Sequence, residues 1–278
     1  NETVFSGDIG VPDVESDNAY TVIFAYQAQD AYIDGVTVTQ AYADGAPSND
    51  PVDQHRYCAA IYVYSGSLQL NEVSVLDNYA SAWGGGLRAR EGAHIEITDS
   101  LFRGNHAGVG GAINADRSEL DISGTSFQFN SASSSAGAIE FHVADGTITG
   151  CEFLGNQAFE SGGIRFTNAD VTIINSIFSN NSSSFSGSSM SVTNGSDVTL
   201  TNTTIASNGP SETVARVKVD FSTLNLNNSI VSGDPGSVST DVESSNASIN
   251  VNNSIVRSDV PLFVRAPSAG PDGLIATL

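Results

Sequence analysis

Apolar and polar residues alternate in short bursts along this chain, and the bursts recur at a nearly fixed interval. An apolar-x-x-Asn element appears at Val75 to Asn78, Phe102 to Asn105, Phe127 to Asn130, Phe153 to Asn156, Phe178 to Asn181 and Ile205 to Asn208. Weaker copies run from Val231 to Asp234 and from Val256 to Asp259, and the intervals are 27, 25, 26, 25, 27, 26 and 25 residues. An earlier copy, Val38 to Ala41, is offset by an insertion over 41–57. Each unit holds three period-two alternations, the mark of strands, as in Leu87 to Arg90, His94 to Ile97 and Leu101-Phe102. Helical spacing is absent. The pattern predicts an all-β fold, a single right-handed parallel β-helix of about nine rungs of roughly 26 residues, with three strands per rung.

A second column strengthens that reading. Three residues before each apolar core position stand Gly35, Glu72, Asp99, Gly124, Gly150, Asn175, Asn202, Asn228 and Asn253. Gly, Asn and Asp tolerate a left-handed backbone, which a tight corner between the second and third strands requires. The amides of Asn175, Asn202, Asn228 and Asn253 are placed to stack as a hydrogen-bonded ladder. The whole chain, 1–278, then reads as one solenoid domain. Residues 1–20 are expected to cap one end, 41–57 to form a long loop, and 260–278 to close the other end.

The Gly-Gly-Ala-Ile run at Gly110 to Ile113 is echoed by Gly84-Gly85-Gly86-Leu87 and Gly162-Gly163-Ile164. With the Phe-x-x-Asn copies, these runs resemble the repeats of polymorphic outer-membrane-protein passengers and related secreted, surface-anchored β-helix proteins of environmental bacteria. The opening Phe5 to Gly10 and the late Pro261 to Val264 resemble those environmental proteins as well. The resemblance implies export to the cell surface or medium and fusion to, or association with, a larger surface protein. Its motifs specify turns and core and imply no chemistry.

Composition narrows the partners. The chain carries 31 acidic against 10 basic residues, a formal net charge of −21. Such a surface argues against nucleic acid and against an anionic membrane. No apolar run reaches the roughly 20 residues of a membrane-spanning helix. Cys58 and Cys151 fall three rungs apart, roughly 14 Å at ordinary strand spacing. A disulfide needs Cα atoms within about 7 Å, so both read as free thiols.

Against that acidic background, basic and aromatic residues collect on one face. Inward positions of the first strand are Ile61, Leu87, Ile113, Ile139, Ile164, Met190 and Val217, and the residues after them point outward. One outward column is Tyr62, Arg88, Asn114, Glu140, Arg165, Ser191 and Lys218, and the next is Tyr64, Arg90, Asp116, His142, Thr167, Thr193 and Asp220. Outward positions of the second strand (Gln69, Glu96, Asp121, Thr172, Thr199, Asn225) are plainer. In pectate-lyase-like β-helices the first-strand face holds the substrate groove, and Asp44, Asp50, Asp53, His55 and Arg56 of the insertion could wall one end of it.

Three functions compete. In the first, a surface module with an adhesive or recognition role binds polysaccharide: Arg88, Arg90, Arg165 and Lys218 hold its polar groups, and Tyr62 and Tyr64 offer flat faces. Asn114, Asp116, Glu140 and His142 complete that surface. In the second, a polysaccharide lyase or glycoside hydrolase uses Asp116 and Glu140 as an acid/base pair about 5–8 Å apart, or Arg90 or His142 as a lyase base. In the third, a purely structural spacer, Arg90, Asp116 and His142, and Glu140 and Arg165, neutralise one another as exposed ion pairs. No cofactor is expected and no His or Cys cluster has zinc-ligand spacing, with His94 and His106 reading as surface residues. Asp44, Asp50 and Asp53 could hold calcium, or simply form a solvated acidic loop. Trp83, before a glycine run, serves a ligand or fills a gap.

Overall fold

A computed structural model describes residues 3–12, 14–45, 60–209, 215–232, 241–256 and 263–264. The chain is an all-β parallel solenoid in which every described strand pairs in parallel with its counterparts one rung away. A 3-10 turn at Glu15–Asp17 is the only helical element among the described residues, so no helix there is long and apolar enough to cross a membrane.

Three long sheets run the length of the solenoid, with nine, ten and ten strands. The first includes Ile61–Tyr64, Leu87–Arg90, Ile113–Asp116, Ile139–His142, Ile164–Thr167, Met190–Thr193 and Val217–Asp220. Its register aligns Tyr62, Arg88, Asn114, Glu140, Arg165, Ser191 and Lys218 strand to strand, as the repeat predicted. The second sheet includes His94–Thr98 and Glu119–Ser123, and the third includes Leu101–Arg103 and Ser126–Gln128. All nine expected corner residues between second and third strands have positive φ, from 47° at Asp99 to 65° at Gly150.

The core is a set of stacked columns. The first-strand column Ile61, Leu87, Ile113, Ile139, Ile164, Met190 and Val217 is fully buried. In the third sheet Phe102, Phe127, Phe153 and Phe178 stack face to face, with centroids 5.3, 4.9 and 4.4 Å apart. Burying each such ring contributes about 1.5–3 kcal/mol, and stacking adds to that. Cys151 is a buried free thiol, and Cys58 lies outside the described residues.

A fourth, six-stranded sheet was not expected. It comprises Tyr42–Ala43, Tyr79–Ala80, His106–Val109, Ser131–Ser135, Gln157–Glu160 and Ser182–Ser186. The insertion predicted over 41–57 therefore begins as a strand of this sheet. The rungs that carry it have four strands, because the repeat Asn does not lead into a loose turn. Asn78, Asn105, Asn130, Asn156, Asn181 and Asn208 form a buried ladder that turns the chain outward. Asn156 shows the pattern: its Oδ1 accepts from the backbone N and the Nδ2 of Asn130 (both 3.0 Å), while its Nδ2 donates to Phe127 O and Asn181 Oδ1 (both 2.9 Å).

Return to the first sheet is made by the glycine run. Gly110 sits at φ +66°, and a Cβ at Gly111 would strike the carbonyls of Ser131 and Gly137. The Gly-Gly pair thus answers two separate demands, a left-handed turn and a close backbone approach.

Candidate groove

Because six of the rungs leave the third sheet, run out along the fourth and double back, the fourth sheet stands as a wall beside the outer face of the first. Contacts mark the corner where they meet. Arg88 Cζ lies 4.1 Å from the centre of the Trp83 ring. Ser135 Oγ donates to Glu140 Oε2 at 3.4 Å. Arg165 Nη1 is 3.8 Å from Glu160 Oε2, and Lys218 Nζ is 5.8 Å from the centre of the Phe185 ring.

The corner changes the standing of the first outward column. Arg88, Asn114, Glu140 and Ser191 point outward, yet all are buried, because the end of the wall strand lies over them. Arg165 and Lys218 are half-buried. The second column is more open, with Tyr64, Arg90, Thr167, Thr193 and Asp220 half-buried and His142 exposed. Tyr62, expected to offer a flat face, is fully buried instead and stacks on Phe24 at 5.3 Å. Tyr64 stacks on Tyr26 at 5.5 Å, so the open aromatic surface at this end belongs to Phe24 and Tyr26.

Asp116 and Glu140 do not share a column. Asn114 pairs with Glu140 and Asp116 with His142, so the two carboxylates are diagonal neighbours on adjacent strands. Their environments differ. Asp116 Oδ2 accepts from Arg90 Nε at 3.1 Å and lies 3.3 Å from Arg117 Nη2, while Arg90 and Arg117 both also reach Glu91. The alternation predicted for Arg90 and Asp116 is thus a closed ion pair. Hydrogen bonding to Arg117 holds the Glu91 carboxyl below its ordinary value. Burial pushes the Glu140 carboxyl up to about 7, against the opposing pull of Arg165 and hydrogen bonds from Ser135 and Thr167.

On the wall, Phe159 and Phe185 are 52% and 58% exposed and stack on each other at 5.4 Å. Sequence reasoning missed both because it assigned this segment to a turn. A signal was present: Ala80, Ala107, Ala132 and Ala158 each stand two residues after a repeat Asn. That small apolar position is the buried side of each wall strand.

His94 and His106, expected as surface residues, are both half-buried. His106 stacks on Tyr79 at 5.4 Å within the wall, its pKa lowered by burial. His94, Glu119 and Asp121 bring ligand-type atoms within 4.8 Å of one another on the second sheet. The imidazole nitrogens there contact Glu119 at 3.0 Å and Glu96 at 3.2 Å. Burial opposes charging of His94, but these bonds and the Glu119 and Asp121 charges outweigh it and raise its pKa. Asp44 lies next to the wall strand Tyr42–Ala43, while Asp50, Asp53, His55 and Arg56 lie outside the described residues.

In outline, the site is a long corner with a polar floor and a partly aromatic wall. No protein-family model, no curated protein and no solved structure matches this chain.

Proposed function

We propose that the corner between the first and fourth sheets binds a chain polysaccharide, in a secreted or surface-displayed module with an adhesive or recognition role. The observation that carries this is the exposed Phe159–Phe185 stack standing beside Lys218 and the polar floor. Exposed aromatic rings contribute large apolar faces that suit the flat, C–H-rich side of a sugar ring, and a row of polar groups suits its hydroxyls. The solenoid repeats its floor and wall strands along the axis, as an extended ligand requires. The net charge of −21 argues against nucleic acid as the polymer.

A second reading, a polysaccharide lyase or hydrolase in the same corner, is favoured by one observation. Glu140 is 4% exposed, with its pKa raised to about 7, where a general acid or base works best. Against it, Asp116, the other carboxylate, is engaged by Arg90 and Arg117. A spacer role, in which the groove has no ligand, is the third outcome.

The test is retention on a panel of acidic and neutral polysaccharides, with reducing and unsaturated ends followed in the same samples. Binding predicts retention without products, weakened at least about tenfold in a Phe159→Ala/Phe185→Ala double variant. Retention untouched by that variant would overturn the groove. Products that vanish in Glu140→Gln would make it an enzyme, and no retention across the panel would leave the spacer.

A further inference from the structure

Every cation of the groove but one has a carboxylate beside it. Arg90 and Arg117 share Asp116 and Glu91, Arg165 has Glu160, and Lys218 has Asp220 at 3.2 Å. Arg88 is the exception: among the described residues no carboxylate lies within ion-pair distance of it. The residue is 3% exposed, and its Nε and Nη1 are buried without a hydrogen-bond partner. One rung on and in register, Asn114 is also buried, and its Oδ1 has no hydrogen-bond partner.

Such a residue is conspicuous in a chain with 31 acidic and 10 basic residues. Buried guanidinium groups cost stability unless paired, and unsatisfied donors add to that cost. A ring does contact Arg88, for Trp83 brings its ring centre within 4.1 Å of the guanidinium carbon. Trp83 itself is half-exposed and directly precedes Gly84, which has φ +57°.

We propose that Trp83, Arg88 and Asn114 form a subsite for a uronate residue of the bound polysaccharide. This rests on the groove reading above and names its ligand. The carboxylate takes the place of the missing counter-ion at Arg88, making charge-assisted hydrogen bonds. A ring hydroxyl donates to Asn114 Oδ1 on the adjacent strand. An orphan cation and an orphan acceptor in register on adjacent strands call for a ligand carrying both an anion and an O–H donor. A uronate has both, a neutral sugar lacks the first, and inorganic sulfate lacks the second. Trp83 covers the guanidinium, so the indole shifts when the carboxylate enters.

Trp83 is the chain's single tryptophan, which makes it the reporter. The full chain is titrated with a short oligogalacturonate, its neutral counterpart of equal length, and sodium sulfate, following tryptophan fluorescence and melting temperature. The expected result is a saturable fluorescence change and a raised melting temperature with the oligouronate alone. Arg88→Met should weaken that binding at least about tenfold while leaving the ligand-free melting temperature unchanged or higher. Where Arg88→Met fails to fold, Arg88→Gln serves, with the same expectation for binding.

Oligouronate binding undiminished in the Arg88 variant would overturn the subsite, as would an equal response to sulfate or to the neutral oligomer. Retention of a neutral polymer that depends on Phe159 and Phe185 but not on Arg88 would sink the subsite and spare the groove. If no polymer is retained, both fall.

Discussion

Glu140 is the residue whose environment is most at odds with its charge. Unfolded, it titrates near 4.5, and folded near 7, so the native state holds its proton more tightly than the unfolded chain does. The stability this contributes is fully present below about pH 4.5 and is lost as pH rises through about 7. Glu140→Gln keeps the shape and removes the titration. Above about pH 8 the variant should be more stable than the parent by up to about 3 kcal/mol, and below the unfolded pKa the two should match. Urea unfolding at both extremes measures this. A variant that is less stable at high pH would show instead that attraction to Arg165 outweighs the cost of burial. Arg88 and Asn114 follow the same logic: each is a polar group placed where folding alone gains nothing from it. Residue-scale strain of a different kind marks the corner between first and second sheets, where Val143 takes φ 51° in a column it shares with Ser65, Glu91, Arg117, Asn168, Asn194, Phe221 and Asn246. A β-branched residue is poorly suited to that conformation.

At the scale of elements, the repeat Asn decides where a rung turns. Its amide joins three rungs, so removing it strands partners above and below. Asn156→Ala removes the acceptor of the Asn130 backbone N–H and one of the two acceptors of Asn130 Nδ2, which keeps Phe102 O, and it takes a donor from both Phe127 O and Asn181 Oδ1. Orphaned buried groups cost about 1–3 kcal/mol each, so the substitution should cost about 3 kcal/mol or more in chemical unfolding. A loss below about 1 kcal/mol would mean that water reaches the ladder and takes over those bonds. This element also shows what the sequence could and could not tell. Strand register, the inward column from Ile61 to Val217 and the positive-φ corners were legible, because each recurs at the same place in every rung. Of the corner ladder, Asn228 to Asn202 and Asn202 to Asn175 do bond, at 2.6 and 3.1 Å. The wall was not legible because its strands are marked inside only by Ala or Ser, too small a signal beside the Phe columns. Without the wall, Tyr62, Arg88 and Glu140 read as open surface, and Phe159, Phe185 and the role of Trp83 went unseen.

Over the whole molecule, stability should vary along the axis, since each rung rests only on its neighbours. The middle rungs have complete layers: Phe102 to Phe178, Ile113 to Met190 and the Asn ladder are all fully or nearly fully buried. Toward the N-terminal end the layers thin. Val22, Ile23, Ala25, Ala31, Ile33 and Val36 are only partly buried against the core, and Val4, Phe5, Phe24, Tyr26 and Tyr32 are exposed. Among the described residues the strands Thr3–Ser6, Ile23–Tyr26 and Ala31–Asp34 each pair on one side only, so opening them breaks one ladder rather than two. Local opening follows such differences in buried apolar area and backbone pairing. Amide hydrogen exchange should therefore be slowest from about Leu87 to Leu200 and at least about a hundredfold faster in the strands before Asp34. The groove floor from Arg88 to Ser191 lies inside the protected stretch, which is where a preorganised binding surface belongs. Uniform protection from end to end would mean that the solenoid opens as one cooperative unit. In that case Asn156→Ala would lower the protection of the N-terminal strands as much as that of its own rung, whereas a graded solenoid confines the loss to the middle.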